Sequence, residues 1–150
     1  YLALVWHPHD EDEGTIESLY GRHPNHRIKF TSKRNEGKRA CTHWRILERF
    51  GPCGLYELKL ETGRTHQIRV HLSEAGRPLL ADQLYGIRRR IEHIANLRLL
   101  GHELGLKRHA LHATQLGFEH PKTGEWMSFE SPLPEPIESV IQKLRAHFLS

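Results

Sequence analysis

Residues 40–61 read ACTHWRILERFGPCGLYELKLE and contain the clearest secondary-structure signal in the chain. Residues 40–50 and 55–61 are both rich in β-forming side chains in rough alternation, which is typical of strands. The GPCG segment between them is a turn signal, because glycine and proline favour the backbone angles of tight turns. The stretch therefore predicts an antiparallel hairpin.

A short helix is predicted directly after the hairpin. Thr65 is a favourable N-cap, and Ile68, Leu72 and Ala75 form an apolar stripe at helical spacing. The glycine and the proline that follow this stripe are typical of a helix end. We expect the helix over about residues 65–75.

The opening of the chain reads as a strand. Tyr1, Ala3 and Val5 would face one side of it and the residues between them the other side. The chain starts with Tyr1 inside this alternation and not with Met. We therefore expect a fragment of a longer protein, in which the first strand is frayed or has an open edge.

The remaining elements complete an α+β domain. Residues 14–39 are polar and basic and predict hairpins and exposed loops, while residues 110–119 and 126–130 predict a second strand pair. A second helix is predicted over 88–100, interrupted by the glycines at 101 and 105, and helical spacing of apolar residues predicts a closing helix over 137–148. We expect one domain over the whole chain, with a mostly antiparallel or mixed β-sheet and flanking helices.

The composition is that of a globular chain. Its 150 residues are 37% hydrophobic and 27% charged, which is enough apolar material for one core. No apolar run approaches the roughly 18 residues of a bilayer span, and the opening lacks the basic flank of a signal peptide. We expect a cytoplasmic protein without a membrane partner. Cys41 and Cys53, in no paired spacing, are interpreted as structural.

The charge balance favours a polyanionic partner. Lys and Arg number 22 against 18 Asp and Glu, and thirteen histidines add partial charge below neutral pH. A basic surface alone is more often only a solvated one, so the motifs must decide the function.

Residues 60–72, LETGRTHQIRVHL, are the most informative stretch for function. A strand runs into a glycine turn and then into a helix N-terminus, where free N–H groups and the positively charged Arg64 and Arg69 would suit a phosphate or a carboxylate. In the alternative interpretation, both arginines are exposed residues at the helix start and His66 is a capping residue.

These residues resemble the Thr-Gly-Arg-x-His-Gln-Ile-Arg motif of the RluA/RluD family of RNA pseudouridine synthases. The resemblance covers essentially the whole chain, with Ala81 standing where the family usually has glycine, which we interpret as a tolerated change in a turn. Further matching segments follow in family order: YLALV at 1–5, GKRACTHW at 37–44, RPLLADQLYG at 77–86, RHALHA at 108–113 and FEHP at 118–121.

The resemblance implies that uridine in RNA is isomerised to pseudouridine without a cofactor, by breaking the glycosidic bond, turning the base and rejoining it through carbon. The family nucleophile is the aspartate of a His-Arg-Leu-Asp motif, which these 150 residues do not contain. None of Asp10, Asp12 and Asp82 is assigned that role. The fragment is therefore expected to be inactive without the missing N-terminal half. The neighbourhood of Arg22-His23-Pro24 and Thr42-His43 looks most like that of members acting on large-subunit ribosomal RNA.

The resemblance also implies residue roles. Arg69 would pair with the catalytic carboxylate, which agrees with the ability of a guanidinium to lower a carboxyl pKa. Tyr1 would pack its ring on the flipped base, and its hydroxyl would assist proton removal from carbon. Leu111 would lie near the base. The residues expected to contact RNA are Arg22, Arg27, Arg64, Thr65, His66, Gln67 and Arg108.

Two alternatives stay open. A non-catalytic module of the same fold would bind RNA without turning it over. A metallohydrolase would use the histidine pairs at 7 and 9, 23 and 26, and 109 and 112, but the sequence has no H-E-x-x-H motif and no carboxylate recurring at ligand spacing, so we expect no metal.

Overall fold

The computed structural model describes residues 1–86 and 104–149. The helix predicted over residues 88–100 lies outside these residues. The elements are, in chain order, β1 Leu2–Trp6, β2 Glu13–Arg22, β3 Phe30–Thr31, β4 Lys38–Phe50, β5 Cys53–Leu60, α1 Gln67–Glu74, β6 Leu111–His112, β7 Gln115–Glu119, β8 Trp126–Glu130 and α2 Glu135–Phe148.

The predicted hairpin forms the centre of the molecule. Strands β4 and β5 pair antiparallel, with an irregularity between Ile46 and Glu48, and the turn between them places Gly51 at φ 57, a left-handed conformation that suits glycine. The hairpin extends into a six-stranded sheet in the order β3-β2-β4-β5-β1-β6, and all its strand pairs are antiparallel. This confirms the α+β class with an antiparallel sheet.

Strand β1 lies inside the sheet, so the expectation of an open edge is wrong. It pairs with β5 on one side, and on the other side Leu2 and Ala3 pair with β6. Beyond that short pairing, the Leu4 N–H donates to the Ala110 carbonyl at 3.0 Å and the Trp6 N–H to the Pro78 carbonyl at 2.9 Å. The sequence did not reveal these partners because they come from segments more than 70 residues away in the chain.

The alternation predicted for β1 is confirmed by two core clusters, one on each face of the sheet. Ala3 and Val5 join the cluster that contains Ile68 and Leu72 of α1. The other cluster takes Leu4 and Trp6 from β1, and from α2 it takes Ile137, Val140, Ile141 and Leu144. The two helices therefore cover opposite faces of the sheet.

Helix α2 confirms the predicted C-terminal helix. Pro134 stands at its N-cap, the acidic Glu135 and Glu138 lie in the first turn, and Arg145 lies in the last turn, as the helix dipole favours. Arg145 also donates through both Nε and Nη2 to Glu48 on β4, which ties the helix to the sheet.

The start of α1 differs from the prediction. The helix begins at Gln67 and not at Thr65, and its N-cap is His66, which has φ 57 and makes no side-chain capping bond. Glycine-like backbone at a histidine is unfavourable by itself, but the His66 Nδ1 is 2.9 Å from the Tyr85 hydroxyl. Tertiary contacts therefore override the capping preference of Thr65.

Two further strand predictions have different outcomes. The second strand pair is confirmed for β7 and β8, which form a separate two-stranded sheet, but the start of the strand predicted over 110–119 is β6, which pairs with β1 instead. The region expected to hold hairpins and exposed loops instead contains β2, a ten-residue strand paired along most of its length with β4. Its inward positions include Gly14 and Ser18, so apolar alternation was too weak to predict it.

Ala81 provides a test of backbone strain. Its φ of 59 lies in the left-handed region, which disfavours alanine by about 1 kcal/mol relative to glycine. We expect Ala81→Gly to raise the free energy of unfolding by about 1 kcal/mol and the Tm by roughly 2–4 °C. The same change at Ala75, where φ is −78, should lower both. Thermal unfolding followed by circular dichroism measures the two shifts, and a fall for Ala81→Gly would contradict the prediction.

His71 makes the fold sensitive to acid. Its ring nitrogens lie 2.8 Å from the hydroxyls of Thr42 and Ser18, and burial lowers its pKa below 6.5 although Glu74 opposes the shift. The unfolded chain therefore binds more protons, and stability falls as the pH drops below about 6.5. We expect His71→Gln to reduce proton uptake on unfolding below about pH 6.5 by up to about one proton. Denaturant unfolding at several pH values measures this uptake, and an unchanged value would contradict the assignment.

Candidate active site

A buried ion pair joins the first helix to the segment that follows it. Arg69 of α1 donates through Nε and Nη2 to the two carboxylate oxygens of Asp82, both at 2.8 Å. The Asp82 side chain is 1% exposed and that of Arg69 13%. Asp82 also accepts the N–H groups of Leu84 and Tyr85 at 3.1 and 3.0 Å. The carboxylate is thus saturated by protein donors and closed to substrate.

The pair is ionised on both sides. Burial alone would raise the pKa of Asp82, but the hydrogen bonds from Arg69 and from the backbone outweigh it and hold that pKa below its ordinary value. The bond to Asp82 raises the pKa of Arg69. The Tyr85 ring lies 5.0 Å from the Arg69 guanidinium carbon and adds a cation–π contact.

The guanidinium of Arg69 still has donors to offer. It carries five N–H donors, and Asp82 occupies two of them on the Nε and Nη2 edge. No protein hydrogen bond of Nη1 is recorded within residues 1–86 and 104–149. The edge formed by Nη1 and the second Nη2 hydrogen can therefore bind another carboxylate through two parallel hydrogen bonds, while Asp82 holds the guanidinium in place.

Arg69 lines a pocket of about 360 Å³, a size suited to a small-molecule group. The pocket unites six of the residues predicted to form the site with three others. Its lining residues are Tyr1, Leu60, Arg64, His66, Gln67, Ile68, Arg69, His109 and Leu111.

Tyr1 and Leu111 reach the pocket from neighbouring strands. Ala3 of β1 pairs with Leu111 of β6, and the backbone of Tyr1 pairs with Leu58 through hydrogen bonds of 2.9 Å in both directions. The Tyr1 residue is 38% exposed, so its ring is accessible. Tyr1 also borders a larger depression of about 650 Å³ that runs toward β7 and β8.

Gln67 fixes the turn that carries the motif. Its Nε2 donates to the Cys41 carbonyl and to the Thr42 hydroxyl, both at 3.0 Å. Its Oε1 accepts the Thr62 hydroxyl at 2.8 Å and the Arg64 N–H at 3.0 Å. The amide is therefore fully used within the protein, which indicates a structural contribution from a residue that was predicted to bind RNA.

Two imidazoles line the same pocket beside Arg69. Burial first, and then the positive charge of Arg69, lower the pKa of both His66 and His109. Both rings are therefore neutral at physiological pH, and the fixed positive charge of the pocket comes from Arg64 and Arg69.

Four predicted residues do not line the pocket. Thr65 is exposed and offers its carbonyl to the Tyr20 hydroxyl. Arg22 and Arg27 are exposed near β3, where Arg22 Nη1 donates to the Arg27 carbonyl at 2.9 Å, and Arg108 is exposed beside the pocket residue His109.

Sequence reasoning missed Asp82 and Tyr85 as site residues. Both stand in the RPLLADQLYG segment that carries part of the resemblance, and that was the available signal. Their contact with Arg69 spans 13 and 16 positions and arises only from the tertiary fold. His109, also unassigned, stands in the RHALHA segment.

The histidine pairs do not gather a third ligand in the part of the chain that the structure describes. His9 stacks on Trp44 with the ring centres 4.0 Å apart, and its Nδ1 is 2.7 Å from the Tyr56 hydroxyl. The rings of His23 and His26 lie 4.8 Å apart in an exposed loop. These contacts give the metallohydrolase alternative no support.

None of the described helices is long and apolar enough to cross a membrane.

Comparison with known proteins gives consistent matches. A family model described as RNA pseudouridylate synthase matches residues 1–74. An uncharacterized RNA pseudouridine synthase, YlyB of Bacillus subtilis, is 44% identical over 145 residues, which cover 97% of this chain and 43% of that protein. The ribosomal large subunit pseudouridine synthase D of Nitrosomonas europaea is 43% identical over 145 residues, covering 97% of this chain and 40% of the relative.

A solved structure agrees in fold. Human RNA pseudouridylate synthase domain containing 1 superimposes with a TM-score of 0.66 at 28% identity, over 97% of this chain and 64% of that one. The chain thus spans less than half the length of the two bacterial relatives.

Proposed function

Because this chain belongs to the RNA pseudouridine synthase family of the RluA/RluD type, we propose that it supplies the arginine-bearing side of an active site that converts uridine to pseudouridine in large-subunit ribosomal RNA. The whole enzyme would be an isomerase that needs no cofactor and acts in the cytoplasm, where its RNA substrate lies.

This proposal rests on one observation, which is that Arg69, Tyr1 and Leu111 line the same pocket. Asp82 binds the Nε and Nη2 edge of Arg69, which leaves the edge formed by Nη1 and Nη2 for a second carboxylate. A nucleophilic carboxylate must stay ionised, and a guanidinium that binds it with two parallel bonds lowers its pKa. Asp82 itself is too buried to attack a substrate, so the aspartate would come from a His-Arg-Leu-Asp segment preceding β1 in the whole protein.

The base would be held by the apolar and aromatic side of the pocket. A uridine must leave its stack before its glycosidic bond can be broken, and an aromatic face such as that of Tyr1 replaces the lost stacking. Leu111 and Leu60 would give the turning base an apolar wall without hydrogen bonds to hold it in one orientation. The Tyr1 hydroxyl would then assist removal of the proton from carbon.

The RNA backbone would be bound by basic residues around the pocket. Arg64 lines the pocket, and Arg22, Arg27 and Arg108 are exposed, as phosphate contacts require. Thr65 and His66 would contribute polar contacts at the rim. Gln67 would act indirectly, by holding the Thr62–Arg64 turn in place.

A direct assay tests the function. The protein expressed from the complete reading frame is incubated with transcripts of large-subunit ribosomal RNA, and pseudouridine is located by chemical labelling and primer extension. We expect modification of particular uridines. Absence of pseudouridine in every transcript, from a protein that binds these RNAs, would favour the non-catalytic binding module instead.

Tyr1→Phe, made in the protein expressed from the complete reading frame, separates the two functions proposed for Tyr1. The phenylalanine ring keeps the stacking surface but lacks the hydroxyl, so we expect RNA affinity within about threefold of the unmodified protein and turnover lower by about 100-fold. Single-turnover rates at saturating RNA and a filter-binding titration measure the two quantities. Normal turnover in Tyr1→Phe would show that the hydroxyl takes no part in proton removal.

A further inference from the structure

A cluster of three different metal-binding side chains lies beside the motif turn. Cys41 and His43 are two positions apart on β4 and so share a face, and Glu61 follows the end of β5, where its N–H donates to the Cys41 carbonyl at 3.2 Å. The Cys41 Sγ lies 3.8 Å from the His43 Nε2, which lies 3.2 Å from a Glu61 carboxylate oxygen. One ligand atom from each residue falls within 4.8 Å of the others.

We propose that Cys41, His43 and Glu61 bind one zinc ion, with water in the fourth position. A tetrahedral zinc ion with ordinary bond lengths holds neighbouring sulfur, nitrogen and oxygen ligands about 3.3–3.6 Å apart. The two measured separations differ from this range by only a few tenths of an ångström. No ligand spacing in the sequence predicts this site, because Glu61 stands just after the neighbouring strand β5 and meets Cys41 and His43 only in the folded chain.

The orientation of His43 supports the assignment independently. Its Nδ1 is 2.8 Å from the Thr15 hydroxyl, which leaves Nε2 directed at Cys41 and Glu61. Histidines that bind metals through one ring nitrogen usually have the other nitrogen held by a polar partner in this manner. The set of one sulfur, one nitrogen and one oxygen favours zinc over magnesium or calcium, which prefer oxygen ligands alone.

Two features limit the affinity and make it depend on pH. Arg39 Nη2 lies 3.1 Å from Glu61, and an ion would displace this arginine, which keeps its second partner, Glu17, at 2.8 Å. Zinc binds a cysteine as the thiolate, so binding releases the proton of the Cys41 thiol. Affinity should therefore rise with pH, by about tenfold for each pH unit over the neutral range.

An ion at this site would stabilise the turn that carries the proposed active-site residues. The Cys41 N–H donates to the Thr62 hydroxyl at 2.9 Å, and the Cys41 carbonyl accepts Gln67 Nε2 at 3.0 Å. Zinc would thus join β4 to the turn that leads into α1 and Arg69.

Metal titration of the reduced chain tests the proposal. Cobalt(II) replaces zinc as a coloured probe, because a thiolate bound to cobalt gives a charge-transfer band in the near ultraviolet. Since histidines elsewhere in the chain can bind metals weakly, this band isolates binding by cysteine. We expect one equivalent of cobalt to produce the band and one equivalent of zinc to remove it. Cys41→Ser should abolish the band, and Cys53→Ser, which changes the other buried cysteine, should retain it.

His43→Gln gives a second variant that does not depend on a buried position, because the His43 side chain is 45% exposed. We expect it to weaken cobalt and zinc binding by at least tenfold while circular dichroism stays unchanged. A band that is absent from the unmodified chain, or that survives in Cys41→Ser, would overturn the proposal. If Cys41→Ser does not fold, unaltered binding by His43→Gln would overturn it equally.

Discussion

We expect Arg69→Lys, made in the protein expressed from the complete reading frame, to lower turnover of saturating RNA by about 100-fold or more, while RNA affinity changes by less than about threefold. Lysine keeps one positive charge but cannot hold two carboxylates through two edges of a planar group. Asp82 and the nucleophile would compete for one ammonium. The loss should therefore fall on the chemical step, which single-turnover rates measure.

Arg64→Lys is the matched control. Arg64 lines the same pocket, but its Nε donates to the Arg39 carbonyl at 3.0 Å and no carboxylate is recorded beside it among the described residues. We expect its change to weaken RNA binding and to leave the rate of the bound complex nearly unaltered. The reverse pattern, with Arg69→Lys impaired in binding and normal in turnover, would assign Arg69 to the phosphates. Arg69→Lys also weakens the ion pair with Asp82, so a thermal unfolding curve must show that the variant is still folded at the assay temperature.

Local signals in the sequence predicted the elements whose stability is local. The GPCG turn with alternating strands on both sides was sufficient for β4 and β5, and the apolar stripe of residues 137–148 was sufficient for α2. The start of α1 was mispredicted because it depends on side chains distant in sequence. His66 adopts a left-handed conformation in contact with Tyr85, and Gln67 ties the turn to β4.

The site was predicted only in part for the same reason. The resemblance predicted Tyr1, Arg69 and Leu111 for the site, and all three line one pocket. The partner of Arg69 within this chain was not identified, because a carboxylate thirteen residues away gives no periodic signal. The environment of β1 was also mispredicted, since its pairing with β6 joins residues more than 100 positions apart.

The position of β1 inside the sheet changes what is expected of the chain by itself. Both core clusters contain β1 residues and are closed by helices of the same chain, so the 150 residues should fold without a partner. We nevertheless expect no pseudouridine from this chain alone, because Asp82, the carboxylate that the described part of the chain places beside Arg69, is buried and inaccessible. Its exposed arginines remain, so weak RNA binding should persist and should fall about tenfold between 50 and 200 mM salt.

Comparison of three samples tests whether the chain alone forms pseudouridine. The chain alone, the chain mixed with the segment that carries the His-Arg-Leu-Asp motif, and the same mixture with that aspartate changed to Asn are incubated with ribosomal RNA transcripts. Only the second sample should form pseudouridine, because only it combines an accessible carboxylate with Arg69. Pseudouridine in the first sample would mean that a carboxylate of this chain is the nucleophile, and an Asp82→Asn variant would then identify or exclude Asp82. If binding survived in all three samples without activity in the second, the separated pieces would fail to form the joint pocket, and the prediction would be wrong.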